Sequence, residues 1–477
     1  MILWKENSGR FKLLPIMTSF ALFTSFALSA CQPLSEAGSE NTSAEHTSQK
    51  PNIIFIMADD MGYADLSVTG ARHVNTPHID SLAANGIRLT DGYANAAICS
   101  PTRTGLLSGA YQQRFEVGLH EPLGPWAENS HLPKEQPTIA SVLKEQGYET
   151  ALIGKWHLGK IPENGPLQYG YDHFVGISQG GADYFKHAPI MNSKVATNDL
   201  FVDNERQDIA GYLTDIFGDY AVKQIEQIGD KPLFLSLHFT APHWPWEGRE
   251  DEEISNSLKS FFHKDGGNIE TFSRMMSAMD DNVGKILSAL ERKGMLDNTI
   301  IVFTSDNGGE RFSDTWPFIG VKGEVLEGGI RVPILMQWPA KIEAGQISDQ
   351  MMISMDFLPT FVKIAGGAIP KDGIDGKDLS AQLVEGAPSF SRKLFWRHKT
   401  KEQRAMRDGD WKYLKIGSHE HLLNLAEDAR ERAWLEEKYP DRFQKMKAEW
   451  EEWNAGMLPY PEKSFSQKAS EYFADRN

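Results

Sequence analysis

Short apolar runs recur along the chain, and each ends in polar or charged residues. Residues 51–58 lead into Asp59-Asp60, and residues 299–303 into Thr304-Ser305-Asp306-Asn307. Residues 148–153 lead into Gly154-Lys155-Trp156-His157, and residues 232–239 into Thr240-Ala241-Pro242-His243. Apolar runs of strand length predict strands buried on both faces of a parallel sheet. Ligands of such sheets gather beyond the carboxyl ends of the strands, where these polar residues fall.

Helical patterns separate the runs. Thr76-Pro77 and Asn85-Gly86 bracket a short helix, residues 137–146 form another closed by Gly147, and residues 269–293 form a long one ending at Gly294. Asp280 and Asp281 fall within the long helix and read as surface charges. Residues 87–95 read as extended, and residues 354–360 cap and begin a further helix. This alternation predicts an α/β fold with a large mixed, mostly parallel sheet sandwiched by helices. From about residue 390 the pattern changes. Residues 394–398, 404–416 and 421–425 read as short antiparallel strands around Asp408-Gly409-Asp410, and residues 427–456 as an amphipathic helix. The expected organisation is a large domain over 51–385 and a small C-terminal one, an antiparallel sheet with a helix, over 386–477.

The N-terminus reads differently. Lys5, Arg10 and Lys12 precede an apolar stretch over 13–30, the pattern of a signal peptide. It ends Leu28-Ser29-Ala30-Cys31, which resembles a bacterial lipobox with Cys31 as the lipidated residue; Gln32 in place of an aspartate points to the outer membrane. Residues 31–50 then form a polar, disordered tether. The expected location is the cell envelope, anchored to the membrane through Cys31. A net charge of −16 excludes nucleic acid as a partner. Cys31 and Cys99 are the two cysteines, and a bridge tying the leader to the core is not expected, so each is left to its own chemistry.

The candidate chemistry centres on Cys99-Ser100-Pro101-Thr102-Arg103. Ser100 is a good N-cap, Pro101 a good first helical residue and Gly109 a good C-cap. Cys99 then stands at a helix entrance, where the dipole lowers a thiol pKa, and Arg103 faces the same way one turn on. On spacing alone it is either a reactive sulfur in an anion site or a buried structural cysteine. Asp59-Asp60 and Asp306-Asn307, two strand ends each offering two oxygen side chains, form an all-oxygen set for a hard cation. Either half alone would equally be a solvated turn. Lys155 and His157 share one face of an extended segment, as a cation beside an acid–base group or as a surface lysine beside a packed histidine. Prolines stiffen the backbone around His243, and Trp244 and Trp246 stack on sugar rings or simply pack. Glycine-rich residues 176–187, with Ser178, Asp183 and His187, form a pocket loop or an irregular segment. Lys322 lies between glycines that let the backbone approach a ligand.

Taken together, these stretches resemble the formylglycine-dependent (type I) sulfatases of the alkaline-phosphatase-like superfamily. C-S-P-T-R-T-G-L-L-S-G at 99–109 looks like that family's signature, whose core is Cys-x-Pro-x-Arg, and G-K-W-H-L-G at 154–159 and residues 320–333 look like two more of its motifs. The resemblance implies that a maturation enzyme oxidises Cys99 to Cα-formylglycine (3-oxoalanine), whose hydrate is the nucleophile. It implies one calcium ion per chain, with magnesium as the alternative, held by Asp59, Asp60, Asp306, Asn307 and the modified Cys99. Arg103 and Lys155 would steady the modified residue. His243, with Lys322, would bind the sulfate and protonate the leaving oxygen, and His157 would accept the proton when sulfate is expelled. The expected substrate is a sulfated polysaccharide or its oligosaccharides, a marine algal glycan such as ulvan or carrageenan being favoured. Ser178, Asp183, His187, Trp244, Trp316 and His398 are the candidate sugar contacts. The competing readings are a phosphonate or phosphate ester hydrolase of the same superfamily and a surface lipoprotein that binds glycan without turnover. A cysteine where phosphatases carry serine or threonine weighs against the phosphatase.

Overall fold

The first apolar run forms a central strand in the computed structural model, which describes residues 50–124, 127, 130–189, 198–258, 263 and 266–467. The signal peptide, Cys31 and the tether as far as Gln49 lie outside the described residues. In this strand, β1 (Asn52–Ala58), Ile54, Ile56 and Ala58 enter one core while Ile53, Phe55 and Met57 enter another. Each face is covered by helices, so no side of the strand needs polar residues. Burying one such large side chain contributes about 1.5–3 kcal/mol.

In chain order the other strands of the large sheet and its neighbour are β2 (Ile87–Leu89), β3 (Gly92–Tyr93), β4 (Glu149–Lys155), β5 (His173–Ile177), β6 (Leu200–Val202), β7 (Glu205–Arg206), β8 (Leu233–His238), β9 (Thr299–Ser305), β10 (Ile334–Gln337), β11 (Gln346–Ser348) and β12 (Met352–Ile353). The large sheet runs β11-β2-β10-β9-β1-β8-β4-β5-β6-β7, and β3 pairs with β12 apart from it. Strands β9, β1, β8, β4 and β5 are parallel, whereas β10 is antiparallel to β9 and β6 to β5. Register brings the four polar strand ends together: Ala58 lies opposite Ser305, Met57 opposite His238, and Gly154 opposite His238.

Helices Leu213–Gln227 and Ile269–Arg292 cover one face, and Cys99–Ser108, Ile139–Glu145 and Phe357–Ile364 the other. The helix expected over 137–146 starts at Ile139 because Thr138 and Ser141 cap each other's backbone N–H groups. Among the described residues, no helix is long and apolar enough to cross a membrane.

Asp280 is not the surface charge expected. It is buried, and its carboxylate accepts the N–H groups of Ile79 at 2.8 Å and His78 at 3.3 Å, at the start of helix Pro77–Ala84. A residue on one helix thus serves as the N-cap of another, while Asp281 remains at the surface with Arg249. Asp280→Ala should therefore cost about 1–3 kcal/mol, read as a lower melting temperature, with Asp281→Ala as the near-neutral control.

The C-terminal strands β13 (Lys393–His398), β14 (Gln403–Asp408), β15 (Trp411–Ile416) and β16 (His419–Asn424) form an antiparallel sheet in sequence order. Helix Pro440–Ala455 covers one face through Met446 and Trp450. The expected helix over 427–456 is shorter because Asp428 folds the preceding segment into a turn, accepting from the N–H of Ala433 at 2.7 Å and of Arg430 at 3.1 Å. Pro440 then starts the helix. The other sheet face shares a core with Tyr93, Ile330 and Ile353 of the large sheet's side, so one core runs across the expected boundary at 385–386.

Candidate functional site

The Cys99–Ser108 helix begins earlier than its capping residues suggest. Its N-cap is Ile98, with no side-chain cap, and the Ser100 hydroxyl instead accepts from the N–H of Leu123 at 2.7 Å. Gly109 ends the helix as expected, at φ 66°. Every residue of the helix is buried. Burial raises the Cys99 thiol pKa despite Lys155 and Lys322 nearby, contrary to the depressed value expected at a helix entrance. Desolvation outweighs the local positive potential.

Cys99 faces the strand ends. Its Sγ and one carboxylate oxygen each of Asp59 and Asp306 lie within 4.8 Å of one another, as do single ligand atoms of Asp59, Asp60 and His243. Arg103 clamps Asp306 Oδ2 from Nη2 at 2.8 Å and Nε at 3.2 Å, and its Nη1 donates to the Lys155 carbonyl at 3.1 Å. Lys155 Nζ is 2.5 Å from Asp59 Oδ2, and Lys322 Nζ is 2.6 Å from Asp60 Oδ2. Asn307 Nδ2 donates to Asp60 Oδ1 at 2.8 Å, and His243 Nε2 lies 3.5 Å from Asp60 Oδ2. The structure therefore brings Cys99, Arg103, Lys155, His243 and Lys322 together with Asp59, Asp60, Asp306 and Asn307, and His157 lies within electrostatic reach of Lys155, Arg103 and His243.

Burial dominates the electrostatics. It raises the Asp59 carboxyl well above its ordinary pKa, with Asp306 adding repulsion. For Asp60, burial is overcome chiefly by Lys322, which holds the carboxyl below the usual range. Lys322 is pushed well up because Asp60 outweighs the cost of burying the ammonium. Burial and neighbouring lysines keep His157 and His243 neutral, each well below the ordinary imidazole value. Ring orientations follow from carbonyl partners, which only accept. His243 Nδ1 lies 2.6 Å from the Trp244 carbonyl and His157 Nε2 2.8 Å from the Leu123 carbonyl, so those nitrogens carry the protons. Asp60 at φ 65° and His157 at φ 58° are non-glycine residues in the left-handed region. Such strain costs about 1–3 kcal/mol per residue and clusters at working sites.

Two oxygens stand out. Asp59 Oδ1 and Asn307 Oδ1 are buried and have no hydrogen-bond partner. Orphaned carboxylate and amide oxygens beside further carboxylates are the donor set of a hard divalent cation, and they fit one here.

The candidate sugar contacts divide. Trp316 is exposed, at 58%, on the loop between Asn307 and Lys322, with the Arg430 guanidinium 4.9 Å from its ring centre. Trp244 packs on His243 and donates to Glu310 Oε2 at 3.0 Å. Trp246 is buried against Phe312. Ser178, Asp183 and His187 are buried and support their own loop. Ser178 Oγ donates to Asp199, Asp183 accepts from Ser255 and two backbone N–H groups, and His187 bonds the Gly211 carbonyl. His398 is likewise buried, with Nδ1 3.1 Å from Glu121 Oε2. The sequence reading missed His238, 3.3 Å from Arg103 Nη1, and Glu310, 3.5 Å from Lys322 Nζ. His238 ends its apolar run just as Asp59 follows another, so the same signal could have found it.

A mixed, mostly parallel sheet with helices on both faces, carrying a cation-ready carboxylate cluster at its strand ends, defines an alkaline-phosphatase-like fold. Two family models match: Sulfatase over residues 51–368, and N-sulphoglucosamine sulphohydrolase, C-terminal, over residues 322–454. The chain belongs to the sulfatase family. It is 34% identical to arylsulfatase J of Mus musculus over 74% of this chain, and spans 58% of that protein's length. It is 31% identical to arylsulfatase A of Homo sapiens, covering 72% of this chain and 70% of the relative. Among solved structures, Ps i-CgsB superposes with a TM-score of 0.76 at 29% identity, covering 86% of this chain and 94% of that one, and is also known in complex with k-i-k-neocarrahexaose.

Proposed function

We propose that this chain hydrolyses sulfate monoesters on a polysaccharide or its oligosaccharides, using a Cα-formylglycine made from Cys99 and a bound calcium ion. The observation that carries this reading is the pair of orphaned oxygens, Asp59 Oδ1 and Asn307 Oδ1, beside Cys99 in a ring of cationic side chains. When bound by Asp59, Asp60, Asp306 and Asn307, calcium supplies Lewis-acid polarisation, and the oxidised residue 99 supplies the attacking oxygen. The chain's own side chains do the rest. Lys155 and Lys322 offset the charge of an anionic ester, and Arg103 fixes Asp306. His243 commits its Nδ1 proton to the Trp244 carbonyl and, being neutral, has none on Nε2, the nitrogen facing Asp60; the leaving oxygen is therefore protonated by Lys322, held as an ammonium beside Asp60, or by Nε2 once the ring has taken up a second proton. His157 commits Nε2 to Leu123 and keeps Nδ1, buried and without a partner, as the proton acceptor.

A glycan substrate is supported by Trp316 and Arg430, an exposed aromatic face with a guanidinium beside it, suited to a sulfated sugar. It is also supported by the carrageenan-type oligosaccharide named with Ps i-CgsB. Export, a lipid anchor at Cys31, an outer-membrane location and a maturation enzyme as partner belong to the same reading. The test is a desulfation screen of matured, calcium-loaded protein across defined ulvan, carrageenan and animal-glycan oligosaccharides, with small aryl sulfates beside them. Sulfate release from an oligosaccharide supports the proposal, and Trp316→Ala should then raise KM about tenfold for the glycan only. Activity confined to aryl sulfates would remove the glycan assignment, and no release from any ester would remove the hydrolase.

A further inference from the structure

We infer that residues 458–467, a C-terminal strap beyond both family-model matches, position His157 and the start of the Cys99 helix through Glu121. The inference rests on the sulfatase reading above, in which His157 accepts a proton. The strap bridges the segment ahead of Leu123. Glu121 N–H donates to the Phe465 carbonyl at 2.9 Å, and Gln467 N–H donates to the Glu121 carbonyl at 2.5 Å. The Glu121 side chain is buried and gathers four partners. The Tyr460 hydroxyl donates at 2.5 Å to Oε1, while the Ser466 hydroxyl at 2.6 Å, the Lys399 N–H at 2.9 Å and His398 Nδ1 at 3.1 Å meet Oε2. The strap is pinned in turn by the Lys399 ammonium, which donates to Ser464 Oγ at 2.7 Å, and by Arg397, 4.6 Å from the Tyr460 ring centre.

Leu123 connects this cluster to the site. Its N–H donates to Ser100 Oγ at 2.7 Å and its carbonyl accepts from His157 Nε2 at 2.8 Å. One residue thus holds both the first turn of the Cys99 helix and the tautomer of His157. Gly180 limits the ring from elsewhere: a Cβ there would stand 2.5 Å from His157 Cε1. The imidazole keeps its Nδ1 lone pair available only while the Leu123 carbonyl stays in place. Glu121 is therefore a positioning residue, and His398, expected to overhang the substrate, acts through it.

The test uses the full-length, matured, calcium-loaded protein. Glu121→Gln weakens the cluster without changing its volume, and Tyr460→Phe removes one hydroxyl. With a small aryl sulfate, Glu121→Gln should lower kcat by about tenfold to a hundredfold, because a small misplacement of a reacting group costs that much, while KM moves less than about twofold. Amide exchange of residues 119–123 should rise in parallel. Wild-type kcat together with faster exchange there would overturn the inference, as would a loss confined to KM. If Glu121→Gln does not fold, Tyr460→Phe and Ser466→Ala give the same readout, and unchanged kcat in both overturns it. If the wild-type protein itself releases no sulfate, the sulfatase reading fails instead. Nitrogen NMR of His157 then decides the strap alone: an Nε2–H tautomer that becomes mixed in Tyr460→Phe supports it, and one that stays unchanged overturns it.

Discussion

Cys99→Ser is expected to give a folded protein that releases sulfate at least about a thousandfold more slowly than the matured wild type. Serine occupies nearly the same volume in a site that is 2% exposed, so the fold should hold; the new hydroxyl costs about 1 kcal/mol if it finds no partner. Chemistry, not packing, carries the loss. A serine oxygen can be driven onto sulfur by the surrounding cations, but it has no second hydroxyl from which to expel the sulfate. The variant should therefore retain one sulfate per chain, seen as an added mass on the peptide holding position 99. Multiple turnover at the wild-type rate would show that residue 99 supplies no attacking oxygen. Neither outcome depends on which sugar carries the ester.

How much of this was legible beforehand depends on how local the physics is. The cation cluster was legible because an apolar strand that stops at Asp59-Asp60 or Asp306-Asn307 must end at the sheet's carboxyl edge. Parallel register then leaves little choice but adjacency. The caps were less legible. Ser100 looks like an N-cap, yet Leu123, 23 residues away, claims its hydroxyl. Asp280 looks solvated on a helical wheel, yet the open N–H groups of a helix some 200 residues earlier meet it. In both cases the deciding partner is distant in sequence, and local propensity carries no trace of it.

The surroundings of the candidate sugar contacts were hidden for a different reason. Polar residues in a glycine-rich loop have two employers, a ligand and the loop's own backbone. Ser178, Asp183 and His187 serve the second: each bonds a buried carboxylate, hydroxyl or carbonyl from a neighbouring segment. Trp316 escapes this fate: it is 58% exposed, with the Arg430 guanidinium 4.9 Å from its ring centre. The Cys99 thiol was misread because a helix dipole can be seen in sequence whereas complete burial cannot, and burial has the larger effect.

Removing divalent cations is expected to abolish sulfate release and to lower the melting temperature, with both restored by calcium. Asp59, Asp60 and Asp306 are each at most 3% exposed, and two of their partners, Lys155 and Lys322, already stand within 2.6 Å. These cations neutralise the cluster only in part: Asp59 Oδ1 and Asn307 Oδ1 have no hydrogen-bond partner, Arg103 Nη2 standing 3.8 Å from the former, and burial beside Asp306 still penalises the Asp59 charge. A cation bound at about a thousand times its dissociation constant would add about 4 kcal/mol to the folded state. Asn307→Ala removes one orphaned oxygen while leaving the carboxylates, so it should shrink the calcium-dependent shift in melting temperature without reversing it. Arg103→Met should act in the opposite sense: without its clamp on Asp306 the chelated protein should lose about 3–5 kcal/mol, and calcium should recover part of that loss by meeting the unpaired charge. Melting curves with and without calcium on these three proteins separate a cation site from a self-contained ion-pair cluster. Identical curves in chelator and in calcium, for the wild type, would assign the carboxylates to Arg103, Lys155 and Lys322 alone.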